Sequence, residues 1–140
     1  MIKNLIKTSN ITYQRFYSTF NFRENKTINK DTLKQLITEN RGKSSKSFYL
    51  IDVRNPSEVQ NSGLIESAIN LPLGVIPAAL ELKPEDFEET FNFKKFNKND
   101  NIVFYCQKGI RSDQASTYAR QQGYENSVSY PGSKDEWDSK

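Results

Sequence analysis

The chain has 140 residues, of which 35% are apolar and 26% charged, values that fit one globular domain and exclude an intrinsically disordered protein. It contains no histidine and one cysteine. That rules out a Ser-His-Asp or Cys-His pair within the chain, a zinc site built from Cys and His, and an intrachain disulfide, so no metal is expected and a reducing compartment is the simpler setting. The net charge is +3, no basic stripe suggests nucleic acid, and no apolar run is long enough to span a membrane.

From Met1 to Arg23 there is no Asp or Glu; Lys3, Lys7, Arg15 and Arg23 stand among hydroxylated and apolar residues. In a helix, Ile2, Leu5 and Ile6 would share one face, with Lys3 and Lys7 on another. This is the composition of a mitochondrial transit peptide, and Asn4, Lys7 and Thr8 interrupt the apolar core that a secretory signal would need. Arg15-Phe16-Tyr17-Ser18 resembles a presequence cleavage pattern. Cutting after Tyr17 removes Lys3, Lys7 and Arg15 and takes the charge from +3 to zero. Residues 1–24 are therefore expected to be a transit peptide directing the chain to the mitochondrial matrix, with a disordered basic tail as the alternative, and residues 25–140 to be the domain.

Asn29 to Asp31 predicts a helix start, and Leu33, Leu36 and Ile37 share one face of that helix. Phe48 to Val53 is continuously apolar up to Asp52, the pattern of a strand buried on both faces. Pro56 opens a short helix that ends before Gly63. Ala68 to Leu71 reads as a short strand, Val75 to Leu82 and Pro84 to about Phe93 as helices, and Ile102 to Tyr105 as a second buried strand. Ser112 to Gln122 is a helix with Ser112 as its N-cap, and Ser127 to Tyr130 a last strand. Alternating strands and helices with doubly buried strands predict an α/β fold with a parallel sheet covered on both faces, and ligands in such sheets bind beyond the carboxyl ends of the strands.

Asp52-Val53-Arg54 and Cys106 stand at those ends. In Cys106-Gln107-Lys108-Gly109-Ile110-Arg111-Ser112, a cysteine leaves a buried strand, and a short loop with one glycine and two cations leads into a helix. Converging backbone N–H groups, the helix N-terminus, Lys108 and Arg111 all favour thiolate over thiol, so the pKa should fall below the ordinary value with no histidine involved. The competing reading is an inert core cysteine. For Arg54, pairing with Glu58 to pin the strand-to-helix turn is favoured over a place at the pocket rim, whereas for Asp52 both roles stay open. Tyr130 and Trp137 are expected to pack the C-terminal segment over the sheet.

These residues resemble the single-domain rhodaneses, a sulfurtransferase family. Asp52-Val53-Arg54, Glu58, Gly63-Leu64-Ile65, Ala68-Ile69-Asn70 and Pro72 match its first signature; Tyr105 to Ser112 fits its active-site loop; Gly123-Tyr124 and Tyr130 to Ser133, ending at Trp137, fit its closing segment. Leu64 stands where the family usually has His, at a position taken as structural. The resemblance implies a rhodanese-like α/β fold with about five parallel strands, a mitochondrial type of thiosulfate sulfurtransferase, and no cofactor. It implies that Cys106 is the nucleophile, attacking the sulfane sulfur of a donor such as thiosulfate to form a persulfide, which a thiol or cyanide then discharges. Gln107, Lys108, Gly109, Ile110, Arg111 and Ser112 would hold the donor and the persulfide, with Asp52 as a candidate at the rim.

A phosphatase or arsenate reductase of the same fold needs five residues between Cys and Arg; here four, Gln107 to Ile110, separate Cys106 from Arg111, a loop suited to one sulfur atom. A non-catalytic rhodanese-like module that binds sulfur or an anion is the other alternative. A two-cysteine redox enzyme is excluded because no resolving cysteine exists. The acceptor stays open among glutathione, cyanide, a protein thiol and a tRNA-modifying relay, as does the oligomeric state.

Overall fold

The computed structural model describes residues 20–140, so the expected leader at residues 1–19 lies outside the described residues. Residues 20–24, which the sequence groups with that leader, lie against the domain. Phe22 is buried in the core, and Arg120 donates through Nη2 to the Phe22 carbonyl at 2.8 Å.

The first helix, α1 (Lys30–Asn40), starts as expected, because the Asn29 side chain accepts the Thr32 N–H. It is followed by β1 (Tyr49–Asp52), α2 (Pro56–Ser62), β2 (Ile69–Asn70) and a 3₁₀ turn (Leu73–Val75) running into α3 (Ile76–Glu81). Then come α4 (Pro84–Phe91), β3 (Ile102–Tyr105), α5 (Ile110–Gln121), β4 (Ser127–Ser129) and α6 (Ser133–Asp138). The last helix is not evident in the sequence; Pro131 and Gly132 mark a turn, and the six residues after it are too few to show periodicity.

The sheet is parallel throughout, in the order β2-β1-β3-β4. Four strands replace the expected five or so, because the fifth is reduced to one parallel bridge, Thr27 to Ser129, beyond β4. The chain reverses its winding direction between β1 and β3, and in open α/β sheets a crevice forms outside the strand ends at such a point. Val53 and Cys106 leave β1 and β3 there side by side.

Alternation along the strands sorts the core into two layers. Ile51, Ile102, Phe104 and Cys106 face Ile76, Ala79, Phe87, Ala115 and Ala119 of α3, α4 and α5. Leu50, Val103, Tyr105 and Val128 face Leu33, Leu36 and Ile37 of α1 on the other side. Every residue of β3 is fully buried, and each such side chain contributes about 1.5–3 kcal/mol by leaving water. The cysteine thus stands at the end of an inner strand packed on both faces. Trp137 packs edge-on to Tyr130 at a centroid distance of 6.2 Å, sealing the α1 side as expected.

Candidate active site

The loop after β3 is shorter than the sequence suggests, because α5 begins at Ile110 rather than Ser112. Gly109 is its N-cap, with φ at 103°, a left-handed conformation that glycine alone adopts without strain. An added Cβ there would lie 2.3 Å from the Pro131 carbonyl oxygen. This turn aims the start of the helix at sulfur. The Gly109 N–H donates to Cys106 Sγ at 3.0 Å and the Ser112 N–H at 3.4 Å.

Ser112 is thus not the cap. Lying one turn inside the helix, it directs its hydroxyl inward, 3.5 Å from Sγ, where it also accepts from the Ser129 hydroxyl at 2.9 Å. A second hydroxyl, Ser133 Oγ, accepts the Cys106 N–H at 3.0 Å and lies 3.7 Å from Sγ. Burial alone would push the Cys106 thiol up. The Ser112 hydroxyl and N–H, the Ser133 hydroxyl and the Gly109 N–H outweigh it, and the thiol stands below its ordinary value.

Two ion pairs frame the loop, and neither is the one expected. Arg54 does not pair with Glu58. It folds back on Asp52, donating from Nε to both carboxylate oxygens at 3.1 and 3.0 Å and from Nη2 to Oδ2 at 2.7 Å, with both side chains fully buried. Its remaining N–H groups reach Ser62 Oγ, the Gly63 carbonyl and Gln107 Oε1, so one guanidinium joins the end of β1, the end of α2 and the sulfur loop. Asp52 therefore sits beneath the site and not at its rim; its oxygens are taken by Arg54, including the Arg54 N–H at 2.9 Å.

Glu58 pairs instead with Arg111, through Nη1 at 2.6 Å and Nη2 at 2.9 Å. The guanidinium beside it, and the Asn55 N–H that it accepts in a capping box, hold its carboxyl near 2. Gln107 is tied on both sides: Oε1 to Arg54, Nε2 to the Asp135 carboxylate, and its carbonyl to the Asp135 N–H at 3.1 Å. Lys108 is exposed and has no ion pair or hydrogen bond among the described residues.

A cavity of about 240 Å³ opens above the sulfur, lined by Glu58, Cys106, Gln107, Lys108, Ile110 and Arg111. Ile110 stands 72% exposed at its mouth. The sequence reading brings five of these lining residues together. It misses the role of Glu58, signalled by its N3 position in the Asn55 capping box, and of Ser133, for which no local signal exists. The arrangement can hold an anionic sulfur at the floor and an anion above it.

The family model of the rhodanese-like domain matches residues 29–140. Among curated proteins, the chain is 41% identical to "Thiosulfate sulfurtransferase RDL2, mitochondrial" of Saccharomyces cerevisiae over 88 residues, 63% of this chain and 58% of that one. It is 32% identical to the Homo sapiens "Thiosulfate:glutathione sulfurtransferase" over 112 residues, 79% of this chain and 91% of that protein. The chain thus spans less than two thirds of the yeast relative and nearly all of the human one. Among solved structures, the human single-domain sulfurtransferase TSTD1 superposes with a TM-score of 0.74 at 31% identity, covering 81% of this chain and 95% of that one.

Proposed function

The chain belongs to the rhodanese-like domain family, and from that membership we propose that it is a thiosulfate sulfurtransferase working through a persulfide on Cys106. One observation carries this reading: Cys106 Sγ accepts two backbone N–H groups at the start of a twelve-residue helix, on the floor of a cavity flanked by Lys108, which has no ion-pair partner among the described residues.

In the first half-reaction the Cys106 thiolate attacks the outer sulfur of thiosulfate, the S–S bond of the donor breaks, and sulfite leaves with the electron pair. The enzyme keeps one sulfur as Cys106–S–S⁻. The charge moves one atom outward, toward the N–H groups of the loop, while the Lys108 ammonium is left to hold the donor and the departing sulfite. In the second half-reaction a thiol attacks that outer sulfur, and Cys106 leaves as thiolate. The hydrogen bonds that lower its pKa also make it the better leaving group. Glutathione is the acceptor suggested by the human relative's name, and cyanide would accept in the same way.

We further read the chain as mitochondrial, on the acid-free residues 1–23 and the mitochondrial designation of the yeast relative. N-terminal sequencing of the native protein should begin near Ser18, and an intact Met1 on cytosolic protein would contradict the assignment. For the chemistry, intact mass after thiosulfate treatment should rise by one sulfur atom and fall back on adding cyanide or glutathione. Cys106→Ser should gain nothing while keeping its fold, since a hydroxyl does not ionise near neutral pH. Sulfur loading by that variant would refute the mechanism.

A further inference from the structure

The cavity that would receive the donor contains a carboxylate. Glu58 lines it together with Cys106, Lys108 and Arg111, and its pairing with Arg111 takes both terminal nitrogens of that guanidinium. Of the two cations beside the sulfur, one is thus neutralised and Lys108 alone is free among the described residues. Glu58 is also held from behind, by the Asn55 N–H at 3.1 Å, so an incoming anion cannot displace it without breaking the start of α2. A site built for a dianion would leave both cations open. This one offers a single net positive charge to the donor, and that charge offsets the thiolate.

We propose that Glu58 is a specificity-determining residue that disfavours dianionic donors such as thiosulfate and favours a monoanionic persulfide, RSS⁻, as the sulfur source. The inference rests on the sulfurtransferase reading and refines its donor class. With a persulfide donor, the Cys106 thiolate attacks the outer sulfur, the donor S–S bond breaks, RS⁻ leaves, and Cys106–S–S⁻ forms with total charge unchanged. No oxidant or reductant is consumed. Repulsion from a fixed carboxylate scales with the charge of the approaching anion, so it weighs on a dianion twice as heavily, on a logarithmic scale, as on a monoanion.

The test compares the loading half-reaction of wild type, Glu58→Gln and Glu58→Asp with thiosulfate and with the persulfide of 2-mercaptoethanol, whose only charge is on its terminal sulfur. Glu58→Gln keeps an acceptor for the Asn55 N–H while removing the charge. It should raise kcat/KM for thiosulfate about 10-fold and for the persulfide about 3-fold, with both gains shrinking as salt is added. Glu58→Asp keeps the charge and should keep the wild-type donor ratio. Alkylation of Cys106 by neutral iodoacetamide should change less than about 2-fold in either variant, which separates donor repulsion from a change in the thiolate itself.

A fall in thiosulfate loading in Glu58→Gln would mean that Glu58 serves to aim Arg111 at the donor, and would overturn the proposal. Equal gains for both donors, or an equal gain in alkylation, would overturn it too. Failure of wild type to load sulfur from either donor would overturn the sulfurtransferase reading itself, and this inference with it.

Discussion

Replacing Asp52 by Asn tests whether the ion pair beneath the sulfur loop organises the site. The carboxylate accepts from Arg54 at its backbone N–H, at Nε and at Nη2, and both side chains are fully buried. An amide keeps one acceptor for the backbone N–H but turns an NH₂ toward Nη2, donor against donor. The guanidinium is then left charged, out of water, with the Ser62 hydroxyl, the Gly63 carbonyl and the Gln107 amide oxygen as its remaining partners. Breaking one side of a buried pair costs about 3–5 kcal/mol, which for a domain near this size lowers Tm by roughly 12–20 °C. Thermal melts followed by far-UV circular dichroism measure this directly. Because Arg54 also holds Gln107, sulfur loading should fall at temperatures where the variant is still folded. The double variant Asp52→Leu, Arg54→Met removes both charges and should recover more than half of the lost stability. A Tm for Asp52→Asn within about 4 °C of wild type would refute the reasoning.

Lys108→Ala should slow loading from thiosulfate about 10-fold while leaving discharge of a preformed persulfide nearly unchanged, and stopped-flow measurement of the two half-reactions checks the split. Gly109→Ala should abolish loading, since the new Cβ meets the Pro131 carbonyl and the residue keeps a left-handed φ. The iodoacetamide rate of wild type should reach half its maximum below the ordinary thiol pH, and Ser112→Ala should move that midpoint upward. The Glu58 carboxyl falls from 4.5 to about 2 in the folded protein. Its contribution to stability is therefore complete above the unfolded value and is lost as pH drops through the folded one. Glu58→Gln should flatten urea-derived stability across that interval by on the order of 1 kcal/mol, a value reduced for solvent screening at a pair 31% exposed on each side.

The strands around the site were legible because Leu50 and Ile51, or Val103 and Phe104, are apolar on opposite faces in runs too short for a buried helix, the pattern of a sheet covered on both sides. Ion-pair partners were not legible. Arg54 and Glu58 stand four apart, but that spacing brings side chains together only within a helix, and α2 begins at Pro56, after Arg54. Outside the helix, Arg54 turns back two residues to Asp52, and Glu58 is left for Arg111. Ser112 misled for a related reason. Its residue type favours an N-cap, yet Gly109 takes that place because its φ closes the loop three residues sooner. The hydroxyl of Ser133 belongs to the site through a contact across 27 positions, which no local pattern encodes.

That last contact has a consequence for the chain while it is being made. The carbonyls of Cys106 and Gln107 accept from the Lys134 and Asp135 N–H groups, and the Cys106 N–H needs the Ser133 hydroxyl. At synthesis rates of about 5–20 residues per second, the ribosome adds those partners roughly 1.5–6 s after the cysteine itself. Until they emerge, the thiol sits in an unfinished loop, largely protonated at neutral pH and a poor nucleophile. Nucleophilicity is therefore acquired on completion of the fold. A nascent chain would pass through translation with its sulfur chemically quiet, and become reactive only when the last helix docks.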